Sequence, residues 1–545
     1  MPSRRALLLL GLLLGVLWLG VLGWRDLVPT DEGRYAEIPR EMVASGNWVT
    51  PYLNGFKYFE KPPLQYWATA IAYELFGQHT WTARLWTALT GFLGVLLCFY
   101  AGWRLFGAEA GWYAALVLAS SFLYVGLGHI NTLDMGTSFF MQLSLVGFCI
   151  AQQEAHDASA TRFWMLLTWA AMALAMLSKG LIGLALPGSV LVLYSLWQRD
   201  WTLWTRLHLG TGLVLFLLIA APWFVLVSLH NPEFPQYFFI RQHFERYLTR
   251  VAGRYQPWWY FIPILMVGIL PWLMQMGSVR AQGWRRHAPH GRFDAARVLW
   301  LWAVFIFVFF SLSDSKLPDY ILPIFPALAL LIGQRLAHST GKDFQWSALL
   351  SLLLGITGLA LSPWITHLGR PSTPAALYAD FRPWVMAAAL SVLIGGLLAF
   401  VWARKEQVRA AVTALACAWC VGVLSIATGA AALAPAESTY SLAQQVKPHL
   451  APGVPFYTVD RYDQTLPFYL NRTLTLVQYK GELDFGIERA PQKWVPDLAR
   501  FERMWRGDQR AFAVMSRQLY ARLAQQGLPM RVVAQDPRRV VVMKP

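Results

Sequence analysis

Apolar runs of about 17–25 residues recur along most of the chain, each long enough to cross a bilayer as a helix. They fall near 5–25, 82–104, 109–128, 136–153, 163–178, 181–197, 207–229, 258–277, 297–313, 319–337, 345–366, 383–402 and 410–433. The pattern predicts an all-α polytopic membrane protein with about 13 transmembrane helices. Several runs are short or abut, so counts of about 12 or 14 stay open.

The pattern changes in two places. Between Arg25 and Trp81, the segments Tyr35–Ala44 and Leu64–Phe76 show helical spacing with aromatic residues but are too short or too mixed to span. They predict two helices lying along the membrane surface. After Ala434, short β-branched and aromatic runs (Val454–Val459, Arg539–Met543) alternate with helix-like stretches such as Ser516–Gln526, where Leu519 and Leu523 share a face. A membrane domain over 1–434 is thus expected to carry a soluble α/β domain over 435–545, roughly 110 residues with a modest core of its own.

Composition supports the membrane reading. The 545 residues are 56% hydrophobic and 14% charged, where a soluble domain carries about a quarter charged. The net charge of +16 does not imply nucleic acid, because the basic residues sit in loops between spans, next to lipid headgroups and phosphates. Arg280, Arg285, Arg286, Arg292 and Arg297, with Asp294 as their one acid, mark a cytoplasmic loop. Arg4-Arg5 and Arg404-Lys405 fall on the same side, and an odd span count puts the C-terminal domain outside. No internal targeting tract is present, so that side is expected to be the periplasm of a bacterial inner membrane. Ala6–Trp24 is too long for a cleavable signal core and reads as a retained helix. Cys98, Cys149, Cys417 and Cys420 all lie in apolar runs, and the last two, despite their CxxC spacing, read as small buried hydrophobes.

Charged residues recur at the outer ends of the spans: Asp31, Glu32 and Arg34; Glu60 and Lys61; Asp134; Lys179; His243, Glu245 and Arg246; Asp314, Lys316, Asp319 and Tyr320. Singly, each has a bland explanation: Asp31 or Asp134 caps a helix, Lys61 or Lys179 snorkels. Together they alternate acid and base on one face of the membrane, with cations suited to phosphate and acids suited to a sugar or an amine.

The runs DEGRYAEIPREM from Asp31, YFEKPPLQYW from Tyr58 and KLPDYILPIFPALALL from Lys316 resemble those of the bacterial lipid A 4-amino-4-deoxy-L-arabinose transferases. These are polyprenyl-phosphate-dependent GT-C glycosyltransferases related to protein O-mannosyltransferases. The run YKGELDFGI, Tyr479–Ile487, resembles a segment of the aminoarabinose branch in particular. The resemblance covers the chain in order. It implies an undecaprenyl-phosphate-linked aminoarabinose donor, a lipid A phosphate acceptor, transfer at the periplasmic face, and a part in polymyxin and cationic peptide resistance.

Carried over by motif, Asp31 and Asp134 are the catalytic acids, and Tyr58, Lys61, Arg246 and Tyr320 surround the donor phosphate. Glu32, Arg34, Lys179 and Lys316 are candidates for the sugar or the acceptor. Glu60 with His243 is a candidate pair for a divalent metal ion, an ordinary Glu–His hydrogen bond being the other reading. Two rivals remain: a protein O-mannosyltransferase or other envelope-glycan transferase, and a lipid flippase. Charges confined to one face, without paired repeats, argue against transport.

Overall fold

The computed structural model describes residues 4–245, 255–284 and 293–545, with side chains from 11 to 242, 255 to 280 and 293 to 545. Every predicted span falls on helix. The first part of the chain forms α1 (Arg4–Gly20), α2 (Asp31–Ser45), α3 (Leu64–Phe76), α4 (Thr80–Phe106), α5 (Ala108–Leu118), α6 (Phe122–Leu127), α7 (Asp134–Gln153), α8 (Ala158–Lys179), α9 (Ile182–Gln198) and α10 (Leu209–His230). The later spans lie within Ala295–Leu312, Pro318–Leu336, Gly341–Leu368, Ala375–Arg404 and Val408–Glu437.

Among the described residues nine helices are long and apolar enough to cross a membrane, or ten with one bent pair. The difference from the predicted count has local causes. The run 109–128 is two helices, α5 and α6, parted at Ala119–Ser121, where Ser120 and Ser121 turn their hydroxyls back onto the carbonyls of Leu116 and Val117. The run 258–277 breaks into Phe261–Gly268 and Trp272–Arg280, bent by 110°; Pro271 sits at the break and cannot donate to a continuous helix. α1 and α9, of 17 residues each, stand at the short end of spanning length.

The bundle has a centre and a rim. α7 is buried along nearly its whole length, whereas α10 turns Leu213, Leu217, Leu218, Leu226 and Leu229 outward, as a helix facing lipid does. α4 and α5 cross so closely that a Cβ on Gly102 would stand 2.7 Å from the Gly111 Cα, the small-residue packing of membrane helices. Cys417 differs from its expected burial: it is exposed, while Cys98, Cys149 and Cys420 are buried.

The C-terminal domain holds a six-stranded sheet. Its strands are β3 (Phe456–Val459), β4 (Thr475–Val477), β5 (Trp494–Val495), β6 (Phe512–Ser516), β7 (Arg531–Gln535) and β8 (Arg539–Met543). β5, β4, β3 and β6 pair in parallel, and β8 and β7 add antiparallel. The predicted helix is Arg517–Gln525, capped by the Ser516 hydroxyl, with Leu519 and Leu523 buried. The last membrane helix runs on to Glu437, slightly past the expected boundary.

This domain sits on the first outer loop. α2 is buried from Glu32 to Met42, which corrects its expected place on the membrane surface: protein covers it, not headgroups. A Cβ on Gly33 would meet the Gln464 backbone at 2.6 Å, so only glycine lets the two approach. A hairpin of β1 (Tyr52–Leu53) and β2 (Phe56–Lys57) turns at Asn54-Gly55, both at positive φ, as a two-residue turn demands. The Asn54 side chain exchanges two hydrogen bonds with the Leu474 backbone, at 2.8 and 2.7 Å.

Candidate active site

Asp31 and Glu32 open α2 side by side and have different fates. Glu32 is 1% exposed. Its oxygens accept from Arg25 at 2.7 and 2.8 Å, from Arg84 at 2.8 and 2.9 Å, and from the Val28 and Asn131 N–H groups, both at 3.1 Å. Burial alone would raise its carboxyl, but Arg25 and Arg84 outweigh burial and hold it below the usual carboxylate range. This corrects the expectation that Glu32 binds sugar or acceptor, because its acceptor capacity is filled. Arg84 also donates to the Leu22, Arg25 and Asp26 carbonyls, so the cluster fastens the end of α1 to α2 and α4. The sequence held one signal for it: Arg84 is a lone charge inside an apolar run.

The Asp31 side chain is 39% exposed and pairs with Arg34 at 3.2 Å. Arg34 is buried and also pairs with Glu482 of the C-terminal domain. Its guanidinium lies 5.6 Å from the Tyr35 ring centroid and 5.9 Å from that of Tyr58. The Tyr58 and Tyr66 hydroxyls are buried and have no hydrogen-bond partner among the described residues. Burial raises both phenols, so they stand as neutral O–H groups beside Arg34. Burial also raises the Glu482 carboxyl, with Arg34 opposing it. Glu482 belongs to the run Tyr479–Ile487, and no pattern in the chain pointed to its meeting α2.

A second group lies at the mouths of the spans. Asp134 opens α7, where the helix dipole favours an anion, and Lys179 closes α8, where it favours a cation. The two form an ion pair. Asp319, on the turn Pro318–Ile324, hydrogen-bonds to Asp134 and lies within Coulomb reach of Lys179 and Asp31. The Tyr320 ring centroid is 4.7 Å from the Lys179 ammonium. Lys61, partly exposed between β2 and α3, lies within Coulomb reach of Asp134. The fold thus gathers Asp31, Arg34, Tyr58, Lys61, Asp134, Lys179 and Tyr320, and adds Asp319, Glu482 and Tyr66.

Other expected members stand apart. Lys316 is buried, and its ammonium donates to the Gln256 carbonyl at 2.8 Å and to the Ser313 carbonyl. It braces the loop before Pro318 instead of reaching a sugar. Arg246 and the His243 side chain lie outside the described residues. Glu60 is partly exposed beside Lys61, and among the described residues no three His, Cys, Asp or Glu side chains converge as a metal site. A single carboxylate fits a metal too incompletely to assign it a step.

Comparison with known proteins places this arrangement. Residues 4–238 match the family described as dolichyl-phosphate-mannose-protein mannosyltransferase, and residues 442–544 match the aminoarabinose transferase C-terminal domain. An oligosaccharyltransferase from Archaeoglobus fulgidus, at a TM-score of 0.53 and 13% identity over 94% of this chain and 69% of its own, shares the fold alone. The class is therefore that of polytopic membrane proteins whose first half matches the mannosyltransferase family and whose C-terminal domain matches that of the aminoarabinose transferases.

Within that class one branch stands out. The ArnT structure from Cupriavidus metallidurans bound to undecaprenyl phosphate superimposes with a TM-score of 0.94 and 40% identity, over 100% of this chain and 99% of that one. The undecaprenyl phosphate-alpha-4-amino-4-deoxy-L-arabinose arabinosyl transferase of Edwardsiella ictaluri is 35% identical over 346 residues, 61% of each chain. A namesake from Pseudomonas fluorescens Pf-5 is 32% identical over 408 residues, 72% of each. This chain thus spans under two thirds of the first relative's length in sequence, and nearly all of the structural relative's. The chain belongs to the undecaprenyl phosphate-aminoarabinose transferase family. It is a multi-pass inner-membrane protein whose C-terminal domain faces the periplasm.

Proposed function

We propose that the protein moves 4-amino-4-deoxy-L-arabinose from undecaprenyl phosphate to a phosphate of lipid A at the periplasmic face. The supporting observation is the full-length structural match to a relative whose structure holds undecaprenyl phosphate, taken with the cations and acids gathered at that face. In the reaction an acceptor phosphate oxygen forms a bond to the sugar C1, and the donor phosphate oxygen leaves with the bonding pair. The leaving phosphate gains negative charge as the bond breaks, so a cation beside it stabilises the transition state more than the ground state.

Lys61 takes that role, with Arg246 as the second cation. The neutral Tyr58 hydroxyl, held beside Arg34, supplies a hydrogen bond to the same charge. Tyr320 acts through Lys179, whose ammonium rests on its ring. The acceptor phosphate is already anionic and needs no general base. Asp31 therefore acts by charge, orienting the amino group of the sugar. Asp134 and Asp319, hydrogen-bonded to each other, hold one proton between them, and the single negative charge of the pair is matched by the Lys179 ammonium.

The test is expression in a strain that lacks aminoarabinose transfer, followed by mass spectrometry of its lipid A. The expected result is a mass increment of one aminopentose on a lipid A phosphate. Unmodified lipid A together with glycosylated protein would instead favour a protein hydroxyl as acceptor, the reading that the match over residues 4–238 supports.

A further inference from the structure

The helix Val408–Glu437 leads at its C-terminal end into the periplasmic domain, so Arg409 and the turns around it lie at the cytoplasmic end of the bundle. There a cavity of about 1040 Å³ opens between α5, the end of Ala375–Arg404 and the start of Val408–Glu437. Its wall is apolar along Ile394, Leu398, Ala414 and Ala418, and its rim carries Glu109, Glu406 and Arg409. A second chamber of about 310 Å³, lined by Leu17, Val95, Phe99, Trp112 and Val421, shares Thr413 and Cys417 with the first. Both chambers therefore meet the same face of one helix.

The rim charges differ in what they have left to offer. Glu406 accepts from the Gly341 N–H at 2.6 Å and ties down a loop. Neither Glu109 nor Arg409 makes a side-chain hydrogen bond or ion pair among the described residues. The Arg409 guanidinium rests 5.5 Å from the Trp112 ring centroid, and the buried Trp112 indole N–H has no partner among the described residues. Glu109 and Arg409 both lie within Coulomb reach of Tyr113, which lines the cavity between them. One free anion and one free cation at a shared mouth match a head group that carries both signs, and a purely anionic head would leave Glu109 opposed. Two adjoining apolar chambers match two acyl chains.

We propose that this cavity binds a phospholipid of the cytoplasmic leaflet whose head group carries a phosphate and a primary ammonium. Arg409 takes the phosphate, Glu109 takes the ammonium, and the tails divide between the two chambers on either side of Cys417. The site is separate from the transfer site and sits at the opposite end of the bundle.

The protein reconstituted in vesicles of equal parts phosphatidylethanolamine and phosphatidylglycerol, then extracted and read by native mass spectrometry, tests this. One phosphatidylethanolamine should be retained with about tenfold preference, a difference of 1.4 kcal/mol. Glu109→Gln should remove the preference while keeping a bound lipid, and Arg409→Ala should lose the lipid. Equal retention of the two lipids by wild type, or an Arg409→Ala variant that keeps phosphatidylethanolamine, would overturn the proposal. Cys417, exposed where the other cysteines are buried, gives a second reading. In the same mixed vesicles a maleimide should alkylate it more slowly in wild type than in Arg409→Ala, and equal rates would overturn the proposal as well.

Discussion

Asp31 and Glu32 are neighbours of like chemistry on one helix, and a helix sends consecutive residues to different faces. Glu32 points inward to Arg25 and Arg84, with every direction around its carboxylate occupied. Asp31 points to the open side, touched by Arg34 and otherwise partly solvated. The same contrast separates Lys316, bonded to two carbonyls, from Lys61, partly exposed at the mouth. On the proposed function, ionisable groups at the membrane edge thus divide into fasteners and reagents. Residue type does not sort them. What sorts them is how far the fold encloses each charged group.

The sharpest way to break this division is to remove a fastener. Glu32→Gln leaves two buried guanidiniums facing an amide, and breaking a buried pair from one side costs about 3–5 kcal/mol. The variant should lose much of its folded yield and melt earlier, while each folded molecule transfers sugar at the wild-type rate. Thermal unfolding in detergent and activity per folded molecule check both halves; normal stability with lost activity would make Glu32 a reagent after all. The pH dependence has the matching sign. A carboxyl depressed in the folded state contributes stability at pH values above the ordinary carboxylate range, about 4. That stability is lost as pH falls toward the lower folded value, so the acid limb of wild-type stability should flatten in Glu32→Gln.

Removing a reagent should do the reverse. Lys61→Ala should cut transfer by on the order of 10²–10³, the usual loss when a group that stabilises developing charge is deleted, with folding unchanged. Lys61→Arg should recover little, because a planar fork does not reproduce a point charge. Wild-type turnover in Lys61→Ala at normal protein levels would end its assignment to the donor phosphate.

How the chain announced these roles follows from the same contrast. Spans, motif segments and the terminal α/β domain were legible because hydrophobic period and composition are local. The outer-face acids and bases were legible as a set, since each ends an apolar run. Hidden were the partners that come from far away in the chain. Arg84 reaches Glu32 across 52 residues, and Glu482 meets Arg34 only because Gly33 and the Asn54-Gly55 turn let the C-terminal domain settle on α2. Lys316 and Glu32 were placed among the ligands because a sequence shows charge but not occupancy. The broken runs at Ser120-Ser121 and Pro271 blurred the helix count in the same way, since hydropathy does not register a bend.

Glu482 sharpens the comparison, as it belongs to both groups: it neutralises a buried Arg and it borders the open side. Glu482→Gln should lower transfer by about tenfold, as one charge-assisted bond is replaced by a neutral one. The loss should appear chiefly in turnover rather than in folded yield, since Arg34 keeps Asp31 as a partner. An unfolded variant would move Glu482 to the fasteners. The C-terminal domain would then act through stability alone.

The smallest effect expected is an absence of change, and it decides what Asp31 does. A phosphate acceptor has its second ionisation near pH 6, about as for other phosphate monoesters, and arrives without a proton that must be removed. Asp31 then works as a fixed anion, oriented by Arg34 at 3.2 Å. Asp31→Asn should reduce transfer by about tenfold, because an amide holds an ammonium less well than a carboxylate does. Yet the residual activity between about pH 6 and 8 should follow the wild-type profile, since no essential base has gone. A protein hydroxyl as acceptor requires the opposite. That nucleophile must lose a proton in the transition state, so Asp31→Asn would delete the base and with it the acidic limb of the profile. Residual transfer measured against pH in this one variant separates the two acceptors, and a lost limb would turn Asp31 from a positioning charge into a general base.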